Sequence, residues 1–342
     1  MEQPKVTLAS IEAQIEEWLR SQPSPRNEIF IAEMLRTVLR LTGDETSRGD
    51  LKILNRALKE LRYAFRIFAP YRSVRKVSIF GSTRVPEDDR YYLLAKNLGR
   101  GLAEQGFMVI TGAGPGIMQA GHEGAGREHS FGVNIRLPFV QKANRFIQDD
   151  PKLMTFHFFF TRKLMFVKAA DAFIFFPGGY GTQDELIEVL TLAQTGKSQL
   201  VPIILMDLPD NSYWGPWEKF VRHAMLSRGY ISEEELSLFK VIDDVDAAVG
   251  EIKNFYRNYH SYRFVRHDLV IRLNYPPTAA LIDRLHREFQ DILSDGKVRL
   301  TDSLPEESDE PETSHLYRLL VHFNRQDFAR LRQMIDVINQ AE

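Results

Sequence analysis

Apolar residues recur at helical spacing near the start of the chain. Ile31, Met34, Leu35, Val38 and Leu41 form one stripe, and Leu51, Leu54, Leu58, Leu61 and Phe65 form another. Pro23, Pro25 and Gly43 punctuate these stripes. The pattern predicts a helical region over residues 1–72 with no strand. From Lys76 the pattern changes to short apolar runs alternating with amphipathic stretches. Strands are expected at 77–80, 107–110, 132–137, 172–176 and 201–206, and Met154 to Phe160 reads as a further apolar strand. Helices are expected at 91–104, 117–127, 162–169, 184–193, 214–226 and 244–256, with Thr182 and Glu185 at the spacing of a capping box. Such alternation argues a parallel sheet covered on both faces, whose ligand loops lie at the carboxyl edge of the strands. The fold class is therefore α/β, a Rossmann-like doubly wound core over 73–260. Residues 261–342 read as a small α+β unit with strands at 267–275, 298–300 and 316–323 and helices at 278–293 and 327–338. Residues 302–312 hold six acids and no base, which predicts a solvated loop.

Composition narrows the chemistry. The 342 residues suit about two domains. With 44 Lys+Arg against 46 Asp+Glu, the chain has no global pull toward nucleic acid or anionic membrane, so neither is expected as a partner. It contains no cysteine, which excludes disulfides, thiolate metal sites and a cysteine nucleophile and suits a cytoplasmic protein. No run of residues approaches the length and apolarity of a membrane span, and the start, Met1-Glu2-Gln3-Pro4-Lys5, does not open on an apolar signal core. The nine histidines form no short metal-ligand spacing, so no metal is expected. Basic positions between Lys52 and Lys76 read as a solvated helix face, with a site for an anionic nucleotide regulator or a nucleic-acid backbone as the alternative reading.

Four loops could carry chemistry. Pro177-Gly178-Gly179-Tyr180-Gly181-Thr182 follows a strand and opens a helix, an arrangement that offers backbone N–H groups and a positive dipole end to an anion. The capping-box reading of Thr182 and Glu185 stands beside it. Thr111-Gly112-Ala113-Gly114-Pro115-Gly116 is a second glycine loop. The strand after it ends at Asn134-Ile135-Arg136 without the acid that a dinucleotide site uses, although Arg136 would suit NADP. Gly81-Ser82-Thr83-Arg84 offers a hydroxyl and a guanidinium, or is simply a turn with a surface arginine. Arg162-Lys163 places two cations at an expected helix start, where they oppose the dipole; they read as partners for an anion or a catalytic carboxylate, or as a solvated basic helix end.

Together these pieces resemble the LOG family of Rossmann-like nucleoside 5′-monophosphate phosphoribohydrolases, many of whose members carry the older label "possible lysine decarboxylase". The resemblance spans roughly Arg75 to Tyr256. It rests on Phe80-Gly81-Ser82, the run Thr111 to Met118, Gly132 to Ile135, Arg162-Lys163, and Pro177 through Glu185. It departs from the family pattern at Thr83, Ala113 and Gln119. The resemblance implies that Glu185 and Arg162 are catalytic. It implies that Gly178, Gly179, Gly181 and Thr182 cradle a phosphate, joined by Gly114, Gly116, Ser82, Lys163 and Asn134 around the nucleotide, and the turn reading adds Arg84 as an anion contact. The implied reaction hydrolyses the N-glycosidic bond of a purine nucleoside 5′-monophosphate, AMP or an N6-modified AMP, with no cofactor. Glu185 would stabilise positive charge on the ribose, and Arg162 would orient it. A nucleotide sensor without hydrolysis and an NADP-binding protein are the alternatives. A homo-oligomer is the expected assembly.

Overall fold

A computed structural model describes residues 8–21, 27–138 and 142–341. Pro23, Pro25 and the first five residues lie outside them. Contacts divide the chain into two compact units, Met1–Glu60 and Leu61–Glu342.

The first unit holds α1 (Leu8–Arg20), α2 (Glu28–Arg40) and the start of α3 (Arg48–Phe68), as the helical stripes predict. Helices α1 and α2 pack together and share an ion pair between Glu16 and Arg36. Much of the apolar stripe nevertheless faces solvent: Met34, Val38, Leu51, Leu54 and Leu58 are all exposed.

The second unit is built on a parallel sheet of seven strands. These are β1 (Lys76–Phe80), β2 (Met108–Thr111), β3 (Ser130–Ile135), β4 (Leu153–Phe156), β5 (Ala172–Phe175), β6 (Ile203–Met206) and β7 (Lys240–Ile242). Their order across the sheet is β4-β3-β2-β1-β5-β6-β7. Because both faces are covered, the strands need apolar residues on both sides, and successive side chains divide between two cores. Ala172 and Ile174 pack with α4 (Arg90–Glu104), α5 (Ile117–Ala125) and α9 (Val245–Phe255). Phe173 and Phe175 pack with α6 (Phe159–Ala169), α7 (Tyr180–Gln194) and Trp214 of α8 (Trp214–Ala224). The doubly wound expectation holds.

Two elements begin earlier than their patterns suggest. Met154 to Phe160 is not one strand: β4 stops at Phe156 and α6 opens at Phe159, so Phe159 and Phe160 belong to the helix that carries Arg162. Apolar composition alone cannot separate a short buried strand from a helix start. Helix α7 opens at Tyr180, because Gly179 is its N-cap and the Gly179 carbonyl accepts from Thr182 N and Gln183 N. Thr182 is thus already helical, and the capping box is not formed. Its partner Glu185 turns inward instead, 3% exposed.

The C-terminal part adds a four-stranded antiparallel sheet, ordered β10-β11-β9-β8. Its strands are β8 (Tyr259–Val265), β9 (Asp268–Leu273), β10 (Arg299–Thr301) and β11 (Tyr317–Val321), flanked by α10 (Ala279–Glu288) and α11 (Phe328–Gln340). Tyr259, Leu269, Ile271 and Leu319 share the apolar core of the α6–α7 face. Helix α11 is tied to the parallel layer at three places. The Phe328 ring covers Gly196, where a Cβ would lie 1.9 Å from it. Arg332, buried, reaches Glu251 of α9 at 3.0 Å. The Asn339 side chain donates from Nδ2 to the Phe255 carbonyl of α9, while its oxygen accepts from Asn258 N and Tyr259 N of the β8 end.

The acidic stretch 302–312 is not wholly solvated. Glu307 is buried, and its carboxylate accepts from Arg272 Nε at 2.8 Å, Arg318 Nε at 2.9 Å and Leu304 N at 3.0 Å. Its basic partners come from β9 and β11, so a local count of charges does not find them. Burial opposes its ionisation, but the Leu304 N–H and the two guanidiniums outweigh that and hold the carboxyl below the usual range. Removing one member of a buried ion cluster strands the others without a counter-charge. Glu307→Ala should therefore lower stability by about 3–5 kcal/mol, read from urea unfolding, and should raise protease sensitivity of the 302–316 segment first.

Candidate functional site

Strand β1 pairs with both β2 and β5, which makes the gap between β1 and β5 the switch point of the sheet. In open α/β sheets the loops on either side of that point diverge and leave a crevice at the carboxyl edge. Here the crevice is a cavity of about 810 Å³. It is lined by Ser82, Thr83 and Arg84 after β1, by Gly178 to Gln183 after β5, and by Arg162 and Glu185 from α6 and α7.

Three loops interlock to form its floor. Ser82 N donates to the Pro177 carbonyl at 3.0 Å, and Ile117 N donates to the Ser82 carbonyl at 3.1 Å. The approach is close enough to demand glycine. Gly116 has φ +67°, and a Cβ there would stand 2.3 Å from the Ser82 oxygen. At Gly178 a Cβ would lie 2.1 Å from Thr182 Oγ1. Ala113 also has positive φ, at 59°. It is held by Thr111 Oγ1, which accepts from Ala113 N, and by Asn144, whose N–H donates to the Ala113 carbonyl. Asn144 Nδ2 donates to the Gly114 carbonyl at 3.1 Å and faces His122 Nδ1 at 3.2 Å.

Glu185 and Arg162 are brought together. Arg162 Nη2 lies 3.9 Å from Glu185 Oε1, an ion pair without a direct hydrogen bond. The guanidinium is flanked by Phe159 and Phe166, at 5.1 and 5.6 Å from its carbon, and its Nε is buried with no partner among the described residues. Lys163 Nζ lies 3.4 Å from Glu185 Oε2, 3.0 Å from Asp184 and 2.5 Å from Glu188. Burial pushes the Glu185 carboxyl above its ordinary range, and the Lys163 and Arg162 charges only partly reverse this. Burial pulls the Arg162 guanidinium down, opposed by Glu185. Burial also acts downward on Lys163, but its bonds to Glu188 and Asp184 prevail and hold the ammonium above its usual value.

The remaining expected residues are placed less uniformly. Gly178, Gly179, Gly181, Thr182, Ser82 and Arg84 line the cavity with Glu185 and Arg162. Gly114, Gly116, Asn134 and Lys163 are not among its lining residues. Gly116 supports the floor, Lys163 touches Glu185, and Asn134 is buried on β3 with its oxygen unpartnered among the described residues. Several lining residues were given no site role by the sequence: Met118 and Ile135, which lie in the quoted motif runs, and Leu137, Phe159 and Tyr213. The first four supply apolar wall. For Phe159 the signal was the spacing Phe159-x-x-Arg162, which sets a ring beneath a guanidinium on a helix.

A doubly wound α/β protein with a charged cleft at its switch point is the class these features define. The family model described as "Possible lysine decarboxylase" matches residues 115–252. The cytokinin riboside 5′-monophosphate phosphoribohydrolase of Rhodococcoides fascians is 27% identical over 185 residues, 53% of this chain and 90% of that protein. The enzyme of the same name, LOG3, of Arabidopsis thaliana is 30% identical over 164 residues, 46% of this chain and 72% of that protein. The pyrimidine/purine nucleotide 5′-monophosphate nucleosidase of Escherichia coli K12 is 28% identical over 159 residues, 44% of this chain but only 35% of that longer protein. The chain belongs to the LOG family.

Two outcomes follow from this geometry. Gly116→Ala forces a side chain into left-handed backbone and against a carbonyl, so it should cost about 2 kcal/mol or more, measured as a lowered urea midpoint. Glu185→Gln should raise the melting temperature at pH 7. A carboxyl whose folded pKa is raised binds its proton more tightly in the native state, so its penalty grows as pH climbs through that window and is fully present above it. Calorimetry should show the gain at pH 7 disappearing below the ordinary carboxylate range.

Proposed function

We propose that the chain hydrolyses the N-glycosidic bond of a nucleoside 5′-monophosphate, releasing the free base and ribose 5-phosphate, with AMP or an N6-modified AMP as substrate. The observation that carries this reading is the buried Glu185 carboxylate beside the Arg162 guanidinium, in a cleft that the glycine turn opening α7 also lines. The first-turn N–H groups of a helix have no acceptor within the helix, and the dipole adds positive potential there. A 5′-phosphate on Gly178 to Thr182 would anchor the sugar. The apolar wall of Met118, Ile135, Leu137 and Phe159 would take a planar base.

Bond cleavage makes the ribose oxocarbenium-like. Glu185, ionised, stabilises that charge and polarises the attacking water. The water oxygen bonds to C1′, the C1′–N bond breaks, and the proton lost by water is recovered by the departing base. Arg162, with donors left over beyond its ion pair, holds the sugar and keeps Glu185 ionised against the cost of burial. Lys163 acts on the same carboxylate from its other oxygen. The names of the relatives from R. fascians, A. thaliana and E. coli support a nucleoside monophosphate as substrate. The exposed apolar residues Phe159, Phe160 and Leu164 on α6 support association with further copies of the chain.

Glu185→Gln should reduce base release at least a thousandfold, followed chromatographically, while the variant still binds AMP. Wild-type turnover in that variant would remove Glu185 from the chemistry, and tight AMP binding by wild-type chain with no base release would favour a sensor. The acid limb of the kcat profile should have its inflection above the usual carboxylate range, because only ionised Glu185 acts. Lys163→Met, which removes an attractive charge, should move that inflection to still higher pH.

A further inference from the structure

The connection after β6 carries a hydrogen-bonded brace that ends on the glycine turn. Asp207 is fully buried and follows the last residue of β6. Its carboxylate accepts from Tyr91 Oη at 2.6 Å, Leu208 N at 2.9 Å, Tyr213 N at 3.0 Å and Trp214 N at 2.8 Å. The Trp214 indole N–H donates to the carbonyls of Phe175 and Met206, wedging the ring between the ends of β5 and β6. Tyr213, packed edge-on against Trp214 at 4.8 Å, is thereby fixed by both its backbone and its ring. Its hydroxyl donates to the Gly178 carbonyl at 2.5 Å and accepts from Gln183 Nε2 at 3.0 Å. Since Gln183 offers a donor, the tyrosine proton is directed at Gly178.

We propose that Tyr213 is a positioning residue for phosphate binding, holding the Gly178–Gly179 peptide in the orientation that receives the 5′-phosphate. Two physical effects follow from its one hydrogen bond. A carbonyl oxygen at the rim of an anion site repels the anion, and the Tyr213 hydroxyl occupies that oxygen. The peptide is planar and trans, so fixing the Gly178 C=O also fixes the Gly179 N–H, which points the opposite way within the same plane. Neither Gly178 nor Gly179 has a side chain to limit rotation, so the constraint must come from outside the loop. Asp207 and Trp214 make that constraint rigid, because they tie Tyr213 to the strand ends rather than to another loop.

The inference rests on the proposed phosphate reading of the glycine turn. It is tested by calorimetric titration of AMP and of adenosine, in the Glu185→Gln background so that no turnover intrudes. Tyr213→Phe keeps the ring and its packing. It should weaken AMP binding roughly tenfold, the worth of one hydrogen bond near a charge, while leaving adenosine binding unchanged. Gln183→Leu, which keeps the tyrosine but removes the donor that directs its proton, should weaken AMP alone by roughly threefold. It serves as the second variant if Tyr213→Phe unfolds. An AMP preference over adenosine that both variants retain in full overturns the inference and leaves the phosphate reading intact. Equal affinity of the parent chain for AMP and adenosine overturns the phosphate reading and the inference together. Equal weakening of both ligands in the variants assigns Tyr213 a general structural role and overturns the inference.

Discussion

A carboxylate taken out of water is the constraint around which the cleft is arranged. Glu185 is 3% exposed, and burial raises its pKa despite two cations within 4 Å. An ionised group in that position is costly unless charge lies close by. Helices α6 and α7 supply it by setting Arg162 and Lys163 opposite Glu185. The two cations are not equivalent. Lys163 is also bonded to Asp184 and Glu188 and is held as a member of a surface network. Arg162 is enclosed between two phenyl rings and keeps a donor unspent. Differential stabilisation of a charged transition state, the role proposed for this cleft, requires a pair of groups that the protein itself leaves incompletely satisfied.

The rest of the parallel layer serves to hold that pair at a fixed distance from the glycine turn. Strand β5 carries the turn, and α7, leaving it directly, brings Glu185 around after little more than a turn of helix. The loops after β1 and β2 lock onto the same turn through Ser82, whose N–H and carbonyl are both committed. The brace from Asp207 through Tyr213 reaches it from the side of β6. The glycine turn and the carboxylate are thus set by the ends of β1, β5 and β6, and positions on such a scaffold are held more tightly than positions on free loops.

Much of this was legible in the linear pattern. The alternation of short apolar runs with amphipathic stretches marks the doubly wound layer, and Gly178 to Thr182 followed by Glu185 marks the strand–turn–helix at its switch point. What the pattern could not show was tertiary. Phe159 and Phe160 read as strand because apolar residues suit either element; in the fold they open α6, and the Phe159 ring lies 5.1 Å from the Arg162 guanidinium carbon. Thr182 and Glu185 had capping-box spacing, yet Gly179 caps the helix and the acid faces the cleft. Glu307 sat in a stretch that looked uniformly solvated, while its partners Arg272 and Arg318 lie on strands brought to it by the antiparallel sheet. Tyr213 had no local signature, because its role depends on Gly178, Asp207 and Trp214 meeting at the ends of two strands.

The most direct measurement is the identity of the products formed when the full chain is incubated with AMP in metal-free buffer. Adenine and ribose 5-phosphate in equal amounts, separated by chromatography and confirmed by mass, are the predicted result. Adenosine with inorganic phosphate, or unchanged substrate across AMP and its N6-modified forms, would contradict glycosidic cleavage by the Glu185–Arg162 pair.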